Sequence, residues 1–158
     1  MSASAIFDLA PMGAIVRYSD GAPRPPERHV KKLSAWKRSN GQGRLVEKTQ
    51  ARTMGRIELP ACFTLHEGDY TSEGVVVLTV RKIYSAASKL RFEVVALPAP
   101  GAVLCLTEHA EPVELLHLAV DGAAAAAWAA RNAYARARFE AVGPNGESTP
   151  IVLEALAA

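Results

Sequence analysis

From Gly74 to Leu97 the chain reads GVVVLTVRKIYSAASKLRFEVVAL, and its apolar and polar positions follow the rhythm of β-structure. Val75, Val76, Val77, Val80 and Ile83 are β-branched, while Leu90, Phe92 and Val94 alternate with Arg91 and Glu93. That is the period-2 pattern of a half-buried strand. A loop over Ser85 to Ser88 predicts a hairpin in which Tyr84 faces Lys89, Ile83 faces Leu90 and Arg81 faces Phe92. Val77, Ile83, Leu90, Phe92 and Val94 then share one face, and Lys82, Tyr84, Lys89, Arg91 and Glu93 the other. Toward Val76, Leu78, Val95 and Leu97 both faces are apolar, which predicts a mid-sheet position covered on two sides.

The same reading along the chain predicts short strands over 4–9 and 14–18, then a stiff Ala-Pro-Arg-Pro-Pro connector of polyproline character. A helix follows from Pro26 to Asn40, with proline in its first turn and Asn40-Gly41 as its stop. Its apolar stripe is narrow, Val30, Leu33 and Trp36, and Trp36 is the residue that would pin it to the sheet. Gly41-Gln42-Gly43-Arg44 reads as a helix cap and turn. It lacks the spacing, the Lys-Ser/Thr and the following helix of a phosphate-binding loop. Further elements are a strand over 45–49, a mobile polar loop over 49–56, a strand over 57–65 interrupted by Pro60, and a polar turn over 66–74. Strands over 103–107 and 113–120 follow. Asp121 caps an alanine-rich helix over 122–133, in which Trp128 is the bulky apolar residue until Tyr134. A strand over 137–142 completes a compact β-α-β crossover. A loop over 143–150 and an apolar element over 151–156 end the pattern. The expected fold is a single α+β domain spanning 1–158, built on a largely antiparallel, twisted and barrel-like sheet with two helices.

Composition narrows this. The 158 residues are 49% hydrophobic and 22% charged, as in a soluble globular chain with one core. The N-terminal stretch lacks a basic n-region, and no run approaches the roughly 20 apolar residues of a membrane span, so no membrane partner is expected. Cys62 and Cys105 are too few for a disulfide framework, which points to the reducing cytoplasm. The net charge of +2 conceals a segregation: residues 17–56 hold eleven Lys and Arg against three acids, whereas the rest holds seven against thirteen. A basic segment of this kind attracts nucleic-acid phosphates or an acidic protein.

Candidate chemistry is sparse. Cys62 with His66 and Cys105 with His109 form two matched Cys-x-x-x-His pairs, a zinc complement by type. Residues four apart on a strand are separated by about 13 Å, so each pair would need a turn to converge, and no metal site is assigned. His117 sits inside the apolar Leu115-Leu116-His117-Leu118, and Glu108, Glu111 and Glu114 lie on an acidic turn. No nucleophile elbow, dinucleotide fingerprint or metalloprotease helix is present, so no catalytic residue or cofactor is assigned.

The expectation that follows is a non-enzymatic accessory protein that binds DNA or RNA with little sequence preference. Arg28, Lys31, Lys32, Lys37 and Arg38 on the helix would be continued by Arg44, Lys48, Arg52 and Arg56 as one basic surface, with Tyr18 and Trp36 available to stack on bases. The alternative is a protein-interaction module that uses the basic arm or an open sheet edge.

Overall fold

The computed structural model describes residues 1–133 and 136–153. The elements run α1 (Ala3–Leu9), β1 (Ile15–Ser19), α2 (Val30–Ser39), β2 (Gly41–Thr49), β3 (Arg52–Met54), β4 (Ile57–Leu59), β5 (Cys62–Ser72) and β6 (Val75–Ser85). They continue with β7 (Arg91–Ala96), β8 (Val103–Thr107), β9 (Leu115–Ala119), α3 (Gly122–Arg131), β10 (Ala137–Val142) and β11 (Ser148–Ile151). Among the described residues this is an α+β architecture of antiparallel sheets with three helices. A five-stranded sheet has the order β6-β5-β2-β1-β7, a four-stranded sheet the order β11-β10-β8-β9, and β3 pairs with β4 as a separate ribbon.

The five-stranded sheet curls around its own core. Val16 and Tyr18 of β1, Leu45 of β2, Phe63 and Leu65 of β5 and Phe92 of β7 are buried together. Phe63, Tyr84 and Phe92 meet at ring separations of 5.3 to 5.8 Å. Helix α1 packs against this core with Ala3, Ile6, Phe7 and Ala10, a helical spacing, and the Ser2 hydroxyl accepts from the Ala5 N–H at its start. The segment predicted as a strand is therefore a helix: a serine cap and the 3-6-7-10 apolar stripe outweigh two β-prone residues. The curl does not close into a barrel, because β6 and β7 are the two edges.

The hairpin predicted over 74–97 does not form. Strand β6 pairs instead with β5, through Cys62 opposite Ser85 up to Ser72 opposite Val75. The turn between them is Glu73-Gly74, both at positive φ (51° and 80°). Two central residues at positive φ match the twist of an antiparallel ribbon, so this local closure prevails over the longer Ser85–Ser88 loop. The polar stretch 66–74 is thus mostly strand. Strand β7 crosses to the far side of the sheet and pairs with β1, Tyr18 opposite Phe92. Its outer edge is engaged at Phe92, whose N–H donates to the Met1 carbonyl.

Gly41 to Arg44 is likewise strand rather than turn, paired to β1 with Gly43 opposite Val16. The glycines serve close approach: a Cβ on Gly41 would lie 2.6 Å from the Tyr18 hydroxyl, and one on Gly43 would lie 2.8 Å from the His66 carbonyl oxygen. The loop expected over 49–56 contains β3, whose ribbon with β4 turns at Gly55.

The second sheet lies across β2. Val46 is buried with Leu104, Leu106, Leu115 and Val142, which makes β2 the strand shared by two cores. On the other face Val103, Cys105, Ala119 and Ala125 form a third cluster beneath α3, which Asp121 caps by accepting from the Ala124 N–H at 2.7 Å. The strands flanking α3 are not neighbours, since β8 lies between β9 and β10 and is antiparallel to both. The compact β-α-β crossover expected there is therefore not a directly paired unit. The segment expected as a loop over 143–150 includes the start of β11. Tyr134 and half of the apolar element expected at the end, residues 154–156, lie outside the described residues.

Candidate functional site

Helix α2 joins the adjacent antiparallel strands β1 and β2 and hangs outside the sheet. It begins at Val30 rather than Pro26, and none of its residues is buried. Polar bonds hold it: the Trp36 indole N–H donates to the Ala22 carbonyl (2.8 Å), and the Asn40 amide donates to the Trp36 carbonyl (2.9 Å) and to Asp20 Oδ1 (2.9 Å). Arg28, Lys31, Lys32, Lys37 and Arg38 are all exposed, and among the described residues none of them makes an ion pair. Lys31, Lys32, Lys37 and Arg38 are thus exposed on the helix, and Arg28 just before it.

The other four basic positions do not continue it. Strand β2 separates α2 from the β3–β4 ribbon, and a nine-residue strand spans about 30 Å. Arg52 and Arg56 are exposed on that ribbon, at the far end. Arg44 and Lys48 are half-buried along β2. Arg44 donates to the Gly13 carbonyl (2.7 Å), and Lys48 Nζ stands 5.8 Å from the centre of the Phe7 ring. Burial pulls both below their ordinary pKa values, with Asp8 opposing the effect on Lys48.

Nor is Tyr18 a stacking platform, because it is a core residue. Its hydroxyl donates to Glu67 and accepts from Lys82 Nζ, which also forms an ion pair with Glu67 at 3.1 Å. Burial first, and the Glu67 hydrogen bond second, raise the Tyr18 pKa well above the usual phenol value. Trp36 is half-buried beside Tyr18 and Gln42 in a cavity of about 350 Å³.

Two further surfaces lie outside the expected basic set. The first is the outer part of the β5–β6 ribbon. Val75 to Leu78 are 53 to 64% exposed and Tyr70 62%, and β6 is an edge strand. The mid-sheet, doubly covered position expected for this run is therefore wrong: the ribbon extends past its neighbour strands, and four consecutive apolar residues put hydrocarbon on both of its faces. The second is a cavity of about 370 Å³ between the root of this ribbon and β9, lined by Arg44, His66, Asp69, Arg81 and His117 among others. His66 Nε2 and Asp69 Oδ1 are 2.9 Å apart, and the Thr79 hydroxyl donates to the same oxygen (2.7 Å). Those two hydrogen bonds hold the Asp69 carboxyl below its ordinary pKa. Arg81 donates to Glu114 (2.6 Å), which fastens the ribbon to the start of β9.

The Cys/His pairs are on separate sheets, Cys62 and His66 on β5, Cys105 on β8 and His109 in the turn after it. Among the described residues no three His, Cys, Asp or Glu side chains converge as metal ligands. Cys105 is buried, which pushes its thiol up to about 11. His117 stacks on Trp128 with ring centres 5.5 Å apart and planes within 3°, and burial, then Arg131, lower its pKa. Of the acidic turn residues, Glu114 is taken by Arg81 and Glu108 lies 3.6 Å from His109. No helix among the described residues is long and apolar enough to cross a membrane.

The chain belongs to the family described as uncharacterised conserved protein UCP036055, which matches residues 1–146. No curated protein and no solved structure matches the chain.

Proposed function

We propose that this member of the family is a non-enzymatic interaction subunit of the cytoplasm, in which two copies join through their β5–β6 ribbons. The observation that carries this reading is the exposed run Val75–Leu78 on an edge strand. Scattered surface hydrophobes need no explanation, but a contiguous patch beside unpaired strand N–H and C=O groups is a docking surface or an aggregation hazard. Because the β6 run puts hydrocarbon on both faces of the ribbon, the ribbon acts as an arm enclosed by its partner. Charge favours a second copy: the tip carries Glu73, and the root carries Arg81, paired with Glu114, and Lys82, paired with Glu67. Two arms laid antiparallel about a two-fold axis set each tip against the other's root, whereas a parallel arrangement sets Arg81 beside Arg81. Sedimentation velocity over a concentration series tests this. The wild-type chain is expected to dimerise, and Val77→Lys to remain monomeric with an unchanged far-UV spectrum. A wild-type chain that stays monomeric throughout rejects self-association and leaves the arm to a different protein.

A second reading rests on α2. Four exposed cations on a helix that buries nothing, with exposed Arg28 just before it, favour a polyanion, and nucleic acid held through its phosphates, with little sequence preference, fits them. In fluorescence-anisotropy titrations with DNA and RNA oligomers, replacing Lys31, Lys32, Lys37 and Arg38 by Ala is expected to weaken binding. The log–log salt slope should become shallower by about 0.9 for each duplex phosphate that the helix no longer neutralises. An unchanged affinity and slope removes α2 from this role, and binding to acidic proteins alone makes the partner a protein.

A further inference from the structure

Three basic side chains stand in one cross-strand row. Arg44 on β2 is the register partner of His66 on β5, and His66 is the partner of Arg81 on β6. Directly opposed side chains on neighbouring antiparallel strands have Cβ atoms about 4.5–5.5 Å apart, which brings the three together on one face of the sheet. The row forms one side of the 370 Å³ cavity, and β9 forms the other with Leu115, Leu118 and His117.

The acids nearby do not neutralise the row evenly. Glu114 is committed to Arg81 and Asp69 to His66. Arg44 has only a neutral partner, the Gly13 carbonyl oxygen, and makes no ion pair among the described residues. A guanidinium carries five N–H donors in a fixed fork. Arg44 gives one NH1 hydrogen to Gly13 and Arg81 one to Glu114, so each retains donors for a further acceptor. Val46 and Val76, with the β9 leucines, supply apolar wall beside this polar floor.

We propose that this cavity is a binding site for a small organic phosphate, whose phosphoryl oxygens sit over the Arg44–His66–Arg81 row and whose carbon portion lies against β9. The row then supplies what the ligand requires: polar side chains from three adjacent strands, set side by side along one wall of the cavity, with the two guanidinium forks as donors. The site is separate from α2, but it shares Arg81 and Val76 with the arm, so the titration below is repeated in the Val77→Lys chain, whose arms do not pair.

The test is a ¹H–¹⁵N shift titration of the full chain with sodium phosphate against sodium chloride of equal ionic strength, with sodium acetate as a parallel probe. Phosphate is expected to produce saturable shifts at residues 44, 66, 81 and 117. Acetate should bind at least tenfold more weakly. Arg44→Gln should weaken phosphate at least tenfold, and Arg44→Lys, which keeps the charge but loses the fork, should fall between. Should Arg44→Gln fail to fold, Arg81→Gln provides the same reading. Shifts that do not saturate, or that centre on residues 30–39, overturn the proposal. So does equal binding of acetate, or a folded Arg44→Gln chain with wild-type affinity.

Discussion

Truncating Phe92 and Ile83 separately distinguishes the observed sheet from a β6–β7 hairpin. In such a hairpin the two residues share one buried face. In the observed sheet Phe92 is 1% exposed and Ile83 70% exposed, because β6 and β7 lie on opposite edges. The Phe92 ring meets Phe63 and Tyr84 edge-on, each with centroids 5.3 Å away. Removing a fully buried phenylalanine costs about 3–5 kcal/mol, the transfer loss plus the cavity left behind. Losing each edge-on pair adds toward the upper end, at about 0.5–1.5 kcal/mol beyond its area. For a chain of this length the melting temperature falls by roughly 2–4 °C per kcal/mol, so Phe92→Ala should lower it by about 6–20 °C. Ile83→Ala touches no packed side and should stay within about 0.5 kcal/mol of wild type. Urea and thermal unfolding followed by far-UV circular dichroism, at one low protein concentration, measure both. Comparable losses for the two variants, or a Phe92→Ala cost under about 1 kcal/mol, would refute the strand order β6-β5-β2-β1-β7.

Gly43→Ala should lower the urea midpoint by an amount equivalent to about 1–3 kcal/mol. Its new Cβ would meet the His66 carbonyl oxygen at 2.8 Å and Leu65 Cβ at 3.0 Å, and the partner strand cannot yield there. Alkaline stability should be governed by buried phenols. Burial pushes Tyr84 up to about 12, and Tyr18 is also raised. A pKa raised in the folded state contributes stability that is complete below about pH 10, the value of a tyrosine in an unfolded chain. That contribution is lost as pH rises through the folded value. The urea midpoint should therefore fall between about pH 10 and 12, and Tyr84→Phe should flatten that fall. An equally steep fall in the variant would assign the lability to other groups.

Much of the local structure is legible in the residues. Asp121 before an alanine run specifies the start of α3, and the alternation over 137–142 and the apolar 103–107 specify β10 and β8. Part of the basic charge over 17–56, Lys31, Lys32, Lys37 and Arg38, lies exposed on α2. What the residues do not reveal is decided by partners distant in sequence. The stretch 66–72 looks like a turn because His66, Glu67, Asp69 and the hydroxyl residues are polar. It is strand because the Glu73-Gly74 turn brings β6 alongside it, and a ribbon that projects needs no apolar side. The run Val75–Leu78 looks like the middle of a sheet because hydrophobicity signals a need for cover without saying whether the same chain supplies it. For α1, a six-residue window with isoleucine and phenylalanine conceals a stripe that only the serine cap and Ala10 reveal. The Arg44–His66–Arg81 row depends on register across three strands, which no single segment encodes, and the continuous basic surface expected from the sequence fails because β2 separates its two ends.

The most direct test of the proposed role is an isotope-filtered nuclear Overhauser experiment on a mixture of ¹³C-labelled and unlabelled chains. Antiparallel arms predict intermolecular proximity at the methyl groups of Val75, Val76, Val77 and Leu78, with none at the internal Val16 or Leu45. Intermolecular signals missing from those four residues at concentrations where the arms should be joined, or confined to another face of the protein, would contradict it.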